Sequence, residues 1–350
     1  MLRSSGIASL SFSTLAALTG AALAHPAAGP QVCTLGAAAV GQPGSILCKD
    51  TLTGATTQTI AVGNTVTGAG ATGGTLSRHG DDVLVTNQAG GAVLFDEHGG
   101  KLVHPIQLDT GGESSLSGAI GARGSYVLTP TRVLFFARGH ATPTSSARLL
   151  VADGSAAQVA LAGGHAYVSE KTGSLEAFRL RADGNLDGAG APVAGIPAGA
   201  IVGITGLEDL IVSPVAHLAT NANQSTIPVS SGDTEVQQVA TKEVAACWAA
   251  NDDDEVCITN PGSMTVSCGH FGPGGFESYT SAAANPVGES VLDLDIRNRT
   301  VGILGKHNGA NVLMVYARAD EASDFLTSLG ELPVGTAIAS GALILPPITK

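Results

Sequence analysis

Short apolar runs separated by tight-turn residues recur along this chain, and the clearest set lies at 156–187. Gln158 to Leu161, Ala166 to Ser169 and Leu175 to Leu180 are largely apolar. Gly163-Gly164, Lys171-Thr172-Gly173 and Ala182-Asp183-Gly184 punctuate them. Runs of this length bounded by glycine-containing turns predict an antiparallel meander, and Pro192 to Ile196 offers a fourth strand. Four short strands recurring every ~40 to 45 residues are the pattern of a β-propeller blade.

Laid along the chain, this pattern predicts seven units. The first spans Cys33 to about Val66, with Ser45 to Cys48 and Gln58 to Val62 as strands. The second runs from Thr75-Leu76 through Asp82 to Thr86 and Ala92 to Phe95, turning at Gly99-Gly100. The third contains Tyr126 to Leu128, Arg132 to Phe136 and Ser145 to Val151. The stretch at 156–187 is the fourth. A fifth, 200–236, holds Asp209 to Ser213 and a polar insertion that reads as a loop. The sixth covers 245–279, and the seventh 290–333, with Thr300 to Leu304 and Val312 to Ala317. The last apolar run, Ala342 to Leu345, is a partner for the first strands, because pairing the two chain ends closes the ring and removes two open edges. The expectation is an all-β, single seven-bladed propeller of four-stranded antiparallel blades over 25–350.

Composition fits this picture. Hydrophobic residues make up 44% of the chain but aromatic ones only 4%, with 47 glycines; small side chains suit stacked sheets buried on both faces. Residues 1–24 add a compartment. Arg3, an apolar segment and Ala22-Leu23-Ala24 match a secretory signal peptide cleaved after Ala24. Ser11, Ser13, Thr14 and Thr19 leave it short of the ~20 apolar residues of a membrane span. The chain is therefore expected to be secreted and extracellular, with no membrane partner. Its formal charge is −12, with 17 basic and 29 acidic residues. Losing Arg3 with the leader makes this more negative. An acidic surface without a basic stripe excludes nucleic acid and anionic lipid as partners.

In an oxidising compartment the five cysteines become candidates for disulfides. Cys257 and Cys268 lie on successive strands of a hairpin whose turn falls near Pro261 to Ser263. Cys33 and Cys48 bracket the first unit and form a second candidate pair, leaving Cys247 as a buried thiol. Asn223 and Asn298 head Asn-x-Ser/Thr sequons, candidates for glycosylation.

Motifs that would carry chemistry are sparse. Serine-hydrolase elbows, phosphate-binding loops and dinucleotide-binding loops have no match here. No Cys/His spacing suggests zinc. Asn251 to Glu255 is a run of oxygen ligands of the kind calcium uses, but it lacks the alternating spacing and falls where a blade turn belongs. No metal and no cofactor are expected. Trp248 is the only tryptophan, open to stacking on a ligand or to core packing.

The fourth and sixth units carry a resemblance. Gln158-Val159, Tyr167-Val168-Ser169-Glu170-Lys171, Phe178-Arg179 and Ala182-Asp183-Gly184, together with Ala245-Ala246-Cys247-Trp248, resemble the lactonase family of seven-bladed propellers. That family includes 6-phosphogluconolactonase-like proteins and 3-carboxy-cis,cis-muconate lactonizing enzymes. The resemblance covers about 72–335. It implies a central cavity with histidines at the starts of inner strands, arginines and a glutamate, and Glu170 matches the glutamate position. The starts here read Thr75-Leu76, Ser115-Leu116, Gln158-Val159, Cys247-Trp248 and Ser290-Val291, without histidine. Lactone chemistry needs a base and an electrophilic partner, and a lone carboxylate supplies only one of these. The expected function is thus a non-catalytic extracellular binding or surface-interaction protein, with a small molecule or surface ligand as partner. The alternative is a lactonase or cycloisomerase using Glu170 and arginines among Arg123, Arg138 and Arg179. Trp248 and Arg138 are the candidate ligand contacts, and His104 and His217 further candidates for lining a cavity.

Overall fold

The computed structural model describes residues 28–65, 76–196, 199–207, 210–216, 225–226, 228–230, 239–240, 243, 245–272, 275–283, 290–318 and 326–348. These residues form strands and turns without a helix. The leader at 1–24 lies outside them, as do Asn223 and His217.

Six four-stranded antiparallel sheets account for most of the structure. Five are meanders in chain order, at 76–109, 117–148, 156–192, 249–283 and 290–333. The sixth is composite: Ile338–Leu345 pairs with Gln31–Ala37, which continues to Pro43–Asp50 and Thr56–Asn64. The chain ends are therefore joined in one blade, as the final apolar run predicts, and the ring has no open edge at this seam.

Innermost strands touch in the order Leu76–His79, Ser117–Gly121, Ala156–Ala162, Thr205–Leu207, Ala249–Asp252, Ser290–Arg297, Ile338–Leu345 and back to Leu76–His79. Thr205–Leu207 belongs to a three-stranded sheet with Leu210–Val212 and Pro228–Ser230, and two-residue strands at 200–201, 215–216, 225–226 and 239–240 form a small sheet beside it. The structure thus shows six regular blades against the seven expected. The fifth predicted unit is instead divided between that three-stranded sheet and the four-stranded sheet of two-residue strands, and much of its polar insertion lies outside the described residues.

Burial follows depth within a blade. Gln31–Ala37, Gly124–Leu128 and Glu255–Asn260 are buried along their whole length, whereas the outer strands Thr56–Asn64 and Leu326–Pro333 are half-buried or exposed. Inner strands are rich in Val, Ala, Leu and Ile because neighbouring blades cover both faces. The outer strand TTQTIAVGN faces solvent and is rich in polar residues. The core lies between blades. Tyr126, Phe135 and Leu149 of one sheet meet Val159, Val168 and Phe178 of the next, and the Tyr126 hydroxyl crosses the gap to donate to Gly184 O at 2.7 Å. Cys257, Val266 and Cys268 pack on Val291, Ile303 and Met314 in the same way.

Both predicted disulfides form. Cys33 lies directly opposite Cys48, and Cys257 opposite Cys268, with Cα atoms 4.0 and 4.1 Å apart. Cys247 is a free thiol, half-buried, and burial pushes its pKa up to about 12, which leaves it protonated and unreactive at neutral pH.

Candidate functional site: a polar central cavity

Residues from each of the innermost strands named above contribute to a central cavity of about 590 Å3. These strands and the turns that follow them supply its polar groups. Leu76–His79 contributes Arg78 and His79, and Gly80 reverses the chain with a φ of 58°. Gln158 and His165 come from the 156–192 sheet. Asn251, Asp252 and Asp253 come from the end of Ala249–Asp252 and its turn, and Asp293 and Asp295 from Ser290–Arg297.

Backbone contacts fix many of these side chains. Gln158 Oε1 accepts from Ile204 N at 2.7 Å, and Asp252 Oδ2 accepts from Asn298 N at 2.7 Å. Asp293 Oδ1 accepts from Leu294 N at 2.8 Å, and Asp295 Oδ2 from Ile344 N at 2.7 Å. His165 Nδ1 lies 3.0 Å from Gly163 O, so Nδ1 carries the proton and Nε2 is the lone-pair nitrogen of the neutral ring.

The charges interact across the rim. Burial raises the Asp295 carboxyl to about 6, against the pull of Arg78 and the backbone amides of Ile344 and Ile296, while Asp252 raises it further. Arg297, at the end of the same strand, is held below the ordinary guanidinium range by burial and by the like charge of Arg78, with Glu97, Asp295 and Asp252 opposing. Arg78 Nε and an Arg297 terminal nitrogen are both shielded and lack a hydrogen-bond partner. Four aspartates and one arginine line the cavity among the described residues.

The residues singled out in the sequence are elsewhere. Glu170 is fully buried inside its blade, not on the cavity and not in a solvated turn. Its Oε2 accepts from Ser155 Oγ at 2.6 Å, its Oε1 has no partner, and burial lifts its pKa to about 7, with the Ser155 bond opposing. Trp248 is a core residue, 5% exposed, with its backbone against Gly203. Arg138 lines a separate groove of about 190 Å3 between the 76–109 and 117–148 sheets and pairs with Asp82 at 2.8 Å. Arg123 and Arg179 do not line the cavity, and His104 is exposed beside Asp96. Asn298 is exposed at a hairpin tip.

Asn251 to Glu255 forms the hairpin turn expected of it, with Asp252 opposite Glu255. Two of its carboxylates nevertheless face the cavity, which its turn pattern does not indicate. Arg78 and His79 are likewise cavity residues outside the sequence expectation. A signal exists in the polar residues of the inner strands, Ser-Arg-His at 77–79, Gln158 and Asp-Leu-Asp at 293–295, although none of the strand starts carries a histidine. Glu255 also approaches Cys257 and Cys268, but their sulfurs are joined to each other, so this group offers no thiolate to a metal.

No family model matches the chain, and no curated protein matches it. Solved structures do. A functionally unknown protein from Desulfotomaculum acetoxidans is 14% identical, with a TM-score of 0.61 over 91% of this chain and 99% of that one. The WD40 repeats of RRP9 are 10% identical, with a TM-score of 0.54 over 72% and 77%. A chain of the nidogen/laminin complex is 11% identical, with a TM-score of 0.50 over 75% and 97%. At these identities the likeness establishes the propeller fold alone.

Proposed function

We propose that this protein is a secreted, lactonase-like propeller of seven blades that acts outside the cell as a non-catalytic binding module, with its central cavity as the ligand site. The reading rests chiefly on the position of Glu170. The one acid that the family resemblance would make catalytic is enclosed in its blade beside Ser155 and cannot reach a ligand in the cavity. A cavity of about 590 Å3 with hydrogen-bonding side chains fixed by backbone amides suits a small polar ligand.

Two disulfides support an extracellular setting, and no helix among the described residues is long and apolar enough to cross a membrane. The seventh blade is assigned to 200–240, because Thr205–Leu207 stands in the ring between Ala156–Ala162 and Ala249–Asp252. Asn298, exposed at its hairpin tip, is the sequon available for glycosylation in a host that glycosylates.

A second reading has an observation of its own. His79 and His165 line the cavity with Arg78, so the neutral imidazole of either is a base within reach of a lactone. Turnover assays on muconolactone and sugar lactones separate the two. The binding reading expects no hydrolysis above background, and hydrolysis that is lost in His79→Gln or His165→Gln overturns it.

A further inference from the structure

The charge pattern of the cavity restricts what it can hold. Arg78 is the cation of its lining among the described residues, and its Nε is shielded from solvent without a partner. No ion pair within 4 Å is formed by Arg78 among the described residues. A shielded charged donor without an acceptor is costly. Asp295 draws on the Arg78 charge while Arg297 repels it, so an anionic group arriving at the Arg78 guanidinium offsets that repulsion. The cavity's carboxylates come from two neighbouring blades. Asp252 and Asp253 come from one blade, and Asp293 and Asp295 from the next. Asp253 is exposed at the mouth, in a turn whose φ of 53° is unusual for a residue with a side chain.

A simple anion meets these aspartates on entry, and a simple cation meets Arg78 and Arg297. We propose that the cavity binds a small zwitterion of the amino-acid type, its carboxylate on Arg78 and its ammonium on the Asp252–Asp253 side. The assignment rests on the binding-module reading above and narrows it to a ligand class. Arg78 forms charge-assisted hydrogen bonds with the carboxylate, which a guanidinium can make in bidentate form. Asp252 keeps its bond from Asn298 N through Oδ2 and has its other oxygen for the ammonium.

Calorimetry and thermal shift on the mature full-length chain test this with three probes of similar size: β-alanine, propionate and propylammonium. β-Alanine is expected to bind and to raise Tm, with each singly charged probe about tenfold weaker or more, since each forfeits one charge-assisted contact. Arg78→Gln is expected to weaken β-alanine about tenfold and bring it level with propylammonium. Asp253→Asn, at an exposed turn where asparagine tolerates a positive φ, should bring it towards propionate without loss of fold. Propylammonium binding as tightly as β-alanine, with no change in Arg78→Gln, overturns the zwitterion while leaving a binding cavity in place. Absence of binding by all three probes at millimolar concentration also overturns it. Lactone turnover would instead defeat the binding-module reading itself.

Discussion

Ser169 and Thr259 occupy the same place in two different blades and make the same two hydrogen bonds. Ser169 Oγ accepts from Gln158 N at 3.1 Å and donates to Val202 O at 2.9 Å. Thr259 Oγ1 accepts from Trp248 N at 3.3 Å and donates to Leu292 O at 3.4 Å. Each hydroxyl ties its own innermost strand to the next blade, and each residue is completely buried. Thr86, Thr129 and Ser213 are buried hydroxyl residues that also follow the apolar run of a second strand.

Thr259→Val removes this link while keeping the shape. Trp248 N and Leu292 O then lose a buried partner, so the variant is expected to be less stable by about 1 to 3 kcal/mol. Urea unfolding measures it, and a loss below about 0.5 kcal/mol, the low end of a hydrogen bond's net worth, would mean the hydroxyl does not join the blades.

Glu170 makes a prediction about pH. Its folded pKa of about 7 is above the ordinary value of 4.5, mainly through burial. The native state therefore holds the proton more tightly than the unfolded chain. The associated stability is complete below the unfolded pKa and is lost as pH rises through the folded one. Glu170→Gln keeps an acceptor for Ser155 and cannot ionise. At about pH 8 it is expected to stabilise the protein by about 1 to 3 kcal/mol relative to wild type, and by little at about pH 4. Melting curves at the two pH values decide the matter, and an equal shift at both would rule out ionisation as its origin.

Much of the fold was legible because a blade repeats its signals. Alternating apolar runs and glycine turns locate the strands at 165–170, 175–179 and 255–260, and opposed positions in hairpins reveal Cys257–Cys268 and Cys33–Cys48. The cavity was harder to read. Propeller axes are lined by residues far apart in sequence, and Arg78, Asp252 and Asp295 each look locally like ordinary polar strand ends or turns. Their meeting depends on ring closure, which no local pattern encodes. Glu170 misled for the opposite reason: a residue in a family-like motif lies inside a blade, where the Ser155 hydroxyl and not a ligand is its neighbour.

Arg318 and Glu255 join the 290–333 and 249–283 sheets through an ion pair whose side chains are only 10% and 9% exposed. Arg318 Nη2 also donates to His270 Nε2 at 3.0 Å, so that nitrogen carries the lone pair. Removing one member of such a pair leaves the other charge buried without compensation. Arg318→Met is expected to cost about 3 to 5 kcal/mol, and the double variant Arg318→Met with Glu255→Leu distinctly less than the two single losses added. Additive losses in a double-mutant cycle would show that the two residues act independently.

Gly206 tests whether the short strand Thr205–Leu207 is a true member of the ring. A Cβ at this position would sit 1.8 Å from Leu161 O and 2.8 Å from Leu161 C, both backbone atoms of the neighbouring innermost strand. Neither can rotate away as a side chain could, so an added methyl must push the two strands apart. Those strands line the cavity at Leu161, Ala162, Thr205 and Gly206, and the displacement would open the wall there. Gly206→Ala is accordingly expected to cost about 2 to 4 kcal/mol. Gly154 supplies the comparison: its φ of 87° disfavours a side chain, yet no atom lies within 4 Å of the place a Cβ would take. Gly154→Ala should then show only the conformational penalty, about 1 to 2 kcal/mol. Chemical denaturation of the two variants reads the difference. A Gly206→Ala loss no larger than that of Gly154→Ala would mean that Thr205–Leu207 does not pack against Ala156–Ala162, and that the ring closes without it.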